Sequence, residues 1–357
     1  MANQTEYKEK RSSNLSCLSR RSILKGASVM TFGSVVGVLG SPSIVRSAQE
    51  KKFSRPLVAG IGAKEGDPTF IALSEIPRIL REKYDVEIDI QIHPSSMLGT
   101  TQSQLEAVQT GFIDLTSESS ATFGQFTDSW QFLDLPYVIT GWDMAQRFFD
   151  SDIFKERSAH MEAKMPVKVL PALSAGGYRV LWNNVKQVKT PDALSGLKLR
   201  STKSPADIAL IKAWGGNPTP IAWTESYTSL QQGVVEGIYL QPIWAYLFNF
   251  HEVLRHGTDM EANFVSQIQV MNINTWNSFP DQIKEPFILA AREAALLGTT
   301  KDRELEGQYK KKLAASGIEM YKPTSKELRD WKERGNSIWE QFGTEQELLS
   351  KLRTLQL

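Results

Sequence analysis

The chain has 357 residues, 41% hydrophobic and 23% charged, a globular composition with length for two domains of ordinary size. Its formal charge is +1, but residues 1–47 hold seven basic and two acidic side chains, leaving 34 basic and 38 acidic in the rest. That mildly acidic body carries no nucleic-acid footprint, and the single cysteine, Cys17, rules out internal disulfides and a multi-cysteine metal site.

Residues 1–47 have the layout of an export signal. A basic region ends in Ser19-Arg-Arg-Ser-Ile-Leu-Lys25, followed by a moderately apolar run from Gly26 to Gly40. That run is too short and too rich in Gly and Ser to span a bilayer comfortably. Val45-Arg-Ser47 offers a small-residue cleavage site. The paired arginines resemble the twin-arginine export signal, with Ile23 where that pattern usually has Phe. A Sec-type signal and an interfacial anchor are the alternatives. Cys17 precedes the apolar run, so it is badly placed for lipid attachment and would leave with the signal.

Strands and helices then alternate. Pro56–Gly62 reads as a buried strand, and Asp67 with Pro68 opens a helix that Pro77 should kink or break. Val86–Ile92 alternates cleanly as a strand. A helix over Thr101–Thr110 stops at Gly111 and leads to a strand over Phe112–Leu115. One amphipathic helix is expected from Trp142 to about Lys164, then a strand over Val167–Leu173, after which Gly176-Gly177 breaks the chain. Further strands are expected at Arg179–Trp182, Leu197–Arg200, Thr219–Ala222, Val234–Leu240 and Phe264–Asn274. Between them lie a helix started by Ser204-Pro205 and ended by Gly215-Gly216, and one capped by Thr224. From Pro280 the pattern is helical, apart from a strand near Ile318–Tyr321. One segment is echoed: Val108-Gln-Thr-Gly-Phe-Ile-Asp114 matches Leu230-Gln-Gln-Gly-Val-Val-Glu236 in chemical type. Two copies of a helix–Gly–strand unit point to two similar α/β lobes.

Catalytic signatures are sparse. His93, His160, His251 and His256 show no metal-ligand spacing, and there is no Gly-x-Ser-x-Gly elbow. Gly60-Ile-Gly-Ala-Lys-Glu-Gly66 fits neither phosphate-loop spacing; it reads as a glycine-lined corner facing a ligand, with Glu65 in it, or as a plain tight turn. No cofactor is expected. The positive signal is arginines and aromatics at strand ends, where α/β sheets bind ligands. Arg179 follows Gly176-Gly-Tyr178, and Arg200 ends Leu197-Lys-Leu199. Each offers a planar fork for a carboxylate, or else a surface ion pair. Trp223 and Tyr239 also end strands, Gln241 precedes Pro242, and Glu118 lies past the strand ending at Leu115.

Taken together, Pro94-Ser-Ser-Met-Leu-Gly99, Leu105–Asp114, Leu135-Pro-Tyr-Val-Ile139, Gly176-Gly-Tyr-Arg179, Leu194-Ser-Gly-Leu-Lys-Leu-Arg200, Asn217–Tyr227 and Gln232–Gly237 resemble the solute-binding proteins of tripartite ATP-independent periplasmic (TRAP) transporters, the DctP-like family. The resemblance spans nearly the whole chain after the signal. It implies an α/β, two-lobed periplasmic-binding-protein fold with hinge strands and a long connecting helix. Lobe I would comprise 48–175 plus about 262–300, and lobe II 176–261 plus about 301–357. It also implies a periplasmic receptor, not an enzyme, that delivers an organic acid to TRAP permease subunits after export of the precursor by the twin-arginine machinery. A sensor subunit and an exported enzyme on the same fold are the alternatives. By position Arg200 corresponds to the family's principal carboxylate-binding arginine, Arg179 to a second one, Trp223 to an aromatic beside the ligand and Glu118 to an acidic position of sialic-acid binders. Ala121 stands where those binders have an arginine, which disfavours a nine-carbon sugar acid. Gly237-Ile-Tyr-Leu-Gln-Pro242 replaces the family's shorter run ending in Asn-Pro and favours a smaller or more apolar anion.

Overall fold

The computed structural model describes residues 52–342 and 346–355; the export segment with Cys17 lies outside them. The strands are β1 (Leu57–Ile61), β2 (Ile90–His93), β3 (Leu115–Ser119), β4 (Val167–Val169), β5 (Leu173–Tyr178), β6 (Val180–Asn183), β7 (Lys198–Ser201), β8 (Asn217–Pro220), β9 (Gly237–Leu240), β10 (His256–Thr258), β11 (Phe264–Asn272) and β12 (Glu319–Tyr321). They form two sheets. One runs β2-β1-β3-β11-β4, with β5 also paired to β11; the other runs β12-β10-β6-β9-β7-β8. Each has a parallel group, β2-β1-β3 in the first and β9-β7-β8 in the second, bordered by an antiparallel strand, β11 or β6.

The echoed segments are structurally equivalent. Gly111 (φ +81°) and Gly233 (φ +70°) both end a helix in the left-handed region, which glycine adopts without steric cost. The Asp114 N–H donates to Val58 O and its carboxylate accepts from Val58 N–H, both at 2.8 Å. Glu236 repeats this with Lys198, at 2.8 and 2.9 Å. Each acid therefore clips the parallel sheet to the helix–glycine turn before its strand.

Several expectations from the sequence are corrected by packing. Pro77 does not break its helix, which runs unbroken over Pro68–Tyr84. A proline there removes one backbone bond, and the buried face of Leu73, Ile76, Ile79 and Leu80 holds the turns on either side. Val86–Ile92 alternates in burial, but the continuous ladder with β1 covers only Ile90–His93; before it Glu87 makes an isolated parallel bridge to Lys52 and accepts from Phe53 N–H at 3.0 Å. The strand expected from Phe112 starts at Leu115, so Glu118 lies within β3 opposite Ile268. Phe112 and Ile113 are held in the helix terminus, both donating to Ala107 O. Trp142–Lys164 is two helices, Trp142–Phe149 and Asp152–Glu162, because Ser151 Oγ caps the second by accepting from Phe154 N–H at 3.2 Å. Thr224 caps nothing; it sits in a 3-10 turn (Trp223–Glu225) before a helix over Ser226–Gln231. All nine residues of β11 are buried; Gln267 Nε2 donates to Ser117 O and Gln269 Nε2 to Pro171 O, while the Oε1 atoms of both and Ser266 Oγ have no protein partner.

The strand expected over Val167–Leu173 is two, β4 and β5, and Gly176-Gly177, with φ of +79° and +75°, sit in β5 where its pairing with β11 loses register between Ser174 and Tyr178. A Cβ on Gly176 would overlap Ile243 Cγ2, and one on Gly177 would approach Trp142 to 2.6 Å. This is where the chain crosses: β5 belongs to the first sheet and β6, one residue later, to the second. A return crossing runs from β10 to β11 through residues 259–263. The helix Asp281–Ala315, about 50 Å long at 1.5 Å per residue, ties these parts together. Its Asp302 accepts from Ser174 Oγ at 2.5 Å and its Thr299 Oγ1 from Ser174 N–H at 3.1 Å.

Candidate ligand cleft

A cavity of about 270 Å³ opens between the two sheets, near the lower end of ligand-pocket sizes, about 300–1,000 Å³. Thr100–Gln102, Glu118, Ser119, Ala121, Thr122, Gln125 and Gln267 line it from the side of the first sheet. Arg179, Arg200, Thr202, Lys203, Ile221–Trp223, Glu225, Tyr239–Gln241 and Trp244 line it from the second.

Arg200 is the penultimate residue of β7, where the parallel strands point their carboxyl ends into the cavity. It is 6% exposed. Its Nε donates to Ile221 O at 3.1 Å, and its guanidinium lies 5.9 Å from the Trp223 ring centre. Among the described residues no carboxylate pairs with it within 4 Å. Burial lowers its pKa to about 10, against the pull of Asp207 and with a smaller repulsion from Arg179; even so it stays charged at neutral pH.

Arg179 is the single residue between β5 and β6. Its backbone N–H donates to Asn263 O at 3.0 Å, and its Nη1 reaches Asp207 Oδ1 at 3.2 Å. The other oxygen of Asp207 accepts from Thr202 N–H and Oγ1 at 2.7 and 2.8 Å. The Arg179 Nε is buried without a protein partner. Behind this pair, Asp134 accepts from Ser120 Oγ (2.7 Å) and Ser204 Oγ (2.9 Å). Its pKa is pushed up to about 6 by burial, against the pull of Arg179.

Trp223 forms an aromatic wall with Trp244, Phe248 and Phe250, at centroid distances of 4.9, 4.8 and 5.6 Å. Tyr239 lies under the Arg179 guanidinium at 5.8 Å, and its hydroxyl donates to Asn263 Oδ1 at 3.1 Å. Gln241 Nε2 donates to Ala175 O at 2.8 Å. These last two bonds tie β9 and its end to the crossing segments. Glu118 is 1% exposed, and its Oε1 has no protein partner. Burial pushes its carboxyl well above the ordinary range; only the Gly62 backbone N–H favours ionisation.

Six residues singled out in the sequence thus line one cavity: Arg200, Arg179, Trp223, Glu118, Gln241 and Tyr239. Glu65 does not: it sits exposed in the turn before Asp67, which turns inward to cap the helix at Pro68. Trp244, Gln267, Lys203 and Thr100–Gln102 also line the cavity without having been singled out. Trp244 was signalled by the Gln241-Pro242 helix start, whereas Gln267 looked like the polar half of an alternating strand.

Two α/β sheets with short crossings, a spanning helix and a cleft between them define a periplasmic solute-binding fold. A solved TRAP periplasmic solute-binding protein from Pseudomonas putida F1, with bound D-glucuronate, superposes with a TM-score of 0.80 over 85% of this chain and 98% of that one, at 21% identity. The family model for bacterial extracellular solute-binding protein, family 7 (DctP), matches residues 59–346, and the chain belongs to that family. It is 27% identical over 283 residues to the 2,3-diketo-L-gulonate-binding periplasmic protein YiaO of Escherichia coli, covering 79% of this chain and 80% of that protein. It is 26% identical over 322 residues to the C4-dicarboxylate-binding periplasmic protein DctP of Rhodobacter capsulatus, covering 88% and 92%. The family and these relatives are binding proteins rather than enzymes.

Proposed function

We propose that this protein is an exported receptor that binds an organic-acid anion in the cleft and delivers it, unchanged, to a TRAP membrane permease. The observation that carries this reading is Arg200: a buried guanidinium with no carboxylate partner among the described residues, beside an aromatic wall, in a cavity between two sheets. Such a charge is costly to bury alone, and a ligand carboxylate supplies the missing partner through two charge-assisted hydrogen bonds. Arg179 adds its unpartnered Nε, Trp223 and Trp244 wall the ligand's body, and Tyr239 and Gln241 brace the cleft floor.

Delivery follows from closure. Lobe I comprises 48–175 plus about 262–300, and lobe II 176–261 plus about 301–357. They rotate about the Gly176–Arg179 and 259–263 crossings, and a ligand touching both lobes favours the closed form by its differential affinity. The permease reads that form. The twin-arginine segment takes the precursor out of the cytoplasm, and the signal is then removed.

Denaturing mass spectrometry of material that co-purifies with the protein, with thermal-shift screening of carboxylates, tests this. The expected result is an organic acid recovered unaltered, whose stabilising shift is lost in Arg200→Met. Hits confined to neutral sugars or cations, or conversion of the bound acid on incubation, would defeat the reading.

A further inference from the structure

The buried acids around the cleft outnumber what its two arginines can balance once an anion enters. Arg179 pairs with Asp207 at 3.2 Å. A second buried acid, Asp134, lies with Arg179 around one small void. Its oxygens are held by hydroxyls, Ser120 Oγ at 2.7 Å and Ser204 Oγ at 2.9 Å, and among the described residues it forms no ion pair.

The two acids therefore differ in kind. Asp207 receives a guanidinium, the Thr202 N–H and the Thr202 hydroxyl, and charge-assisted and backbone donors hold a carboxylate ionised. A hydroxyl donates to a carboxylate and accepts from a protonated carboxyl, so Ser120 and Ser204 hold Asp134 in either state. Burial already pushes Asp134 up to about 6. The charges that face it are Arg179, from the first crossing, and Asp207, from the helix Pro205–Ala213. Ser120, Asn263 of the return crossing and Phe264 and Val265 of β11 bring no ionisable side chain. Tyr239, reached through Asn263, is kept neutral by burial.

With a ligand carboxylate in the cleft, Arg200 and Arg179 face three acids: the ligand, Asp207 and Asp134. Glu118 does not add a fourth, because burial already holds its carboxyl protonated. Two guanidinium groups balance two carboxylates, and a third buried anion would lack a counter-charge. The acid without a charge-assisted donor is the one that yields. We propose that anion binding in the cleft draws a proton onto Asp134, so that the protein takes up its ligand together with H⁺ and binds it more tightly as the solution becomes mildly acidic. This rests on the carboxylate-receptor reading above and adds a proton to what the same site carries. The sign follows from linkage: the complex raises Asp134 above its free value of about 6. Affinity is then highest below both values, weakens as pH rises through them, and is level above them.

The test follows proton uptake on a pH-stat at pH 6.5 while pyruvate, D-gluconate and tartrate, each fully ionised at that pH, are titrated into the protein. Calorimetry gives the affinities from pH 5.5 to 8. A shift of about one unit, the low end of what a nearby charge produces, gives about half a proton taken up per anion bound and about a sevenfold weakening across that range. Asp134→Asn, an isostere of the protonated acid, should bind without uptake and with an affinity level in pH, whereas Glu118→Gln should keep the uptake. Binding without uptake in the parent, uptake that survives Asp134→Asn, or uptake lost in Glu118→Gln overturns the inference. Affinity lowered equally at every pH in Asp134→Asn, with uptake kept, marks a merely structural residue and overturns it too. Should Asp134→Asn not fold, uptake by the parent that Glu118→Gln retains supports the assignment, and its loss there defeats it. If an anion binds without uptake and Arg200→Met abolishes that binding, the receptor reading survives and only this inference falls. If none of the three binds, both fall.

Discussion

Replacing Arg200 with methionine should have opposite effects on the empty protein and on its complex. In the empty protein the guanidinium is buried and near Arg179. Lowering its pKa to about 10 costs about 3 kcal/mol at about 1.4 kcal/mol per pKa unit. The sign follows from linkage: a base whose folded pKa is depressed costs stability at every pH below that folded value, so the full penalty is present at pH 7. Methionine removes it, but also removes the Nε–Ile221 O bond and the contact with Trp223, worth about 1 kcal/mol each. The net is a gain of about 1 kcal/mol, or a rise in Tm of about 2 °C for a unit of this size. In the complex the variant forfeits two charge-assisted hydrogen bonds at about 1.5–3 kcal/mol each, so carboxylate affinity should fall about 10²–10³-fold or more. Thermal melts of the empty protein and calorimetric titration of the ligand found by mass spectrometry check the two halves. A Tm that drops by about 5 °C or more, with ligand affinity kept within a few-fold, would show that Arg200 is a structural residue and refute the assignment.

Other outcomes follow from the same structure. Asp134, held at about 6 by burial, is an acid with a raised folded pKa; its burden is absent below about pH 4 and grows as pH rises to about 6. Asp134→Asn should therefore match the parent's Tm at pH 4 and exceed it by the equivalent of about 3 kcal/mol above pH 6.5, and a gap that closes with rising pH would contradict the cause. Gly176→Ala combines a left-handed φ with overlap on Ile243 and should lose about 2–4 kcal/mol in urea unfolding. Asp114 is buried and bound to Val58 N–H, Arg55 and Thr275, whereas Glu236 is half-buried with one backbone donor. Asp114→Ala should cost about 3 kcal/mol and Glu236→Ala about 1 kcal/mol in the same assay; equal costs would deny the role given to burial.

The sequence by itself determined the features governed by near neighbours. The helix Thr101–Thr110 and its Gly111 stop need only a cap, a period and a residue that tolerates positive φ. The echo at Leu230–Glu236 was legible because the same local chemistry clips each parallel sheet. Arginines and aromatics at strand ends were visible as types in positions where α/β sheets bind ligands. Tertiary structure decided everything that depends on burial and convergence. Pro77 stays helical because long-range packing outweighs one lost hydrogen bond, and positions 176 and 177 have room only for glycine because Ile243 and Trp142 crowd them. Gln267 became a cleft residue only because a distant loop and strand enclose it. Arg200 could be picked out from its strand. That it lies buried without a carboxylate, while Arg179 twenty-one residues away is already neutralised by Asp207, depends on distances and desolvation between segments far apart in the chain. Those set its charge balance, and linear spacing does not encode them.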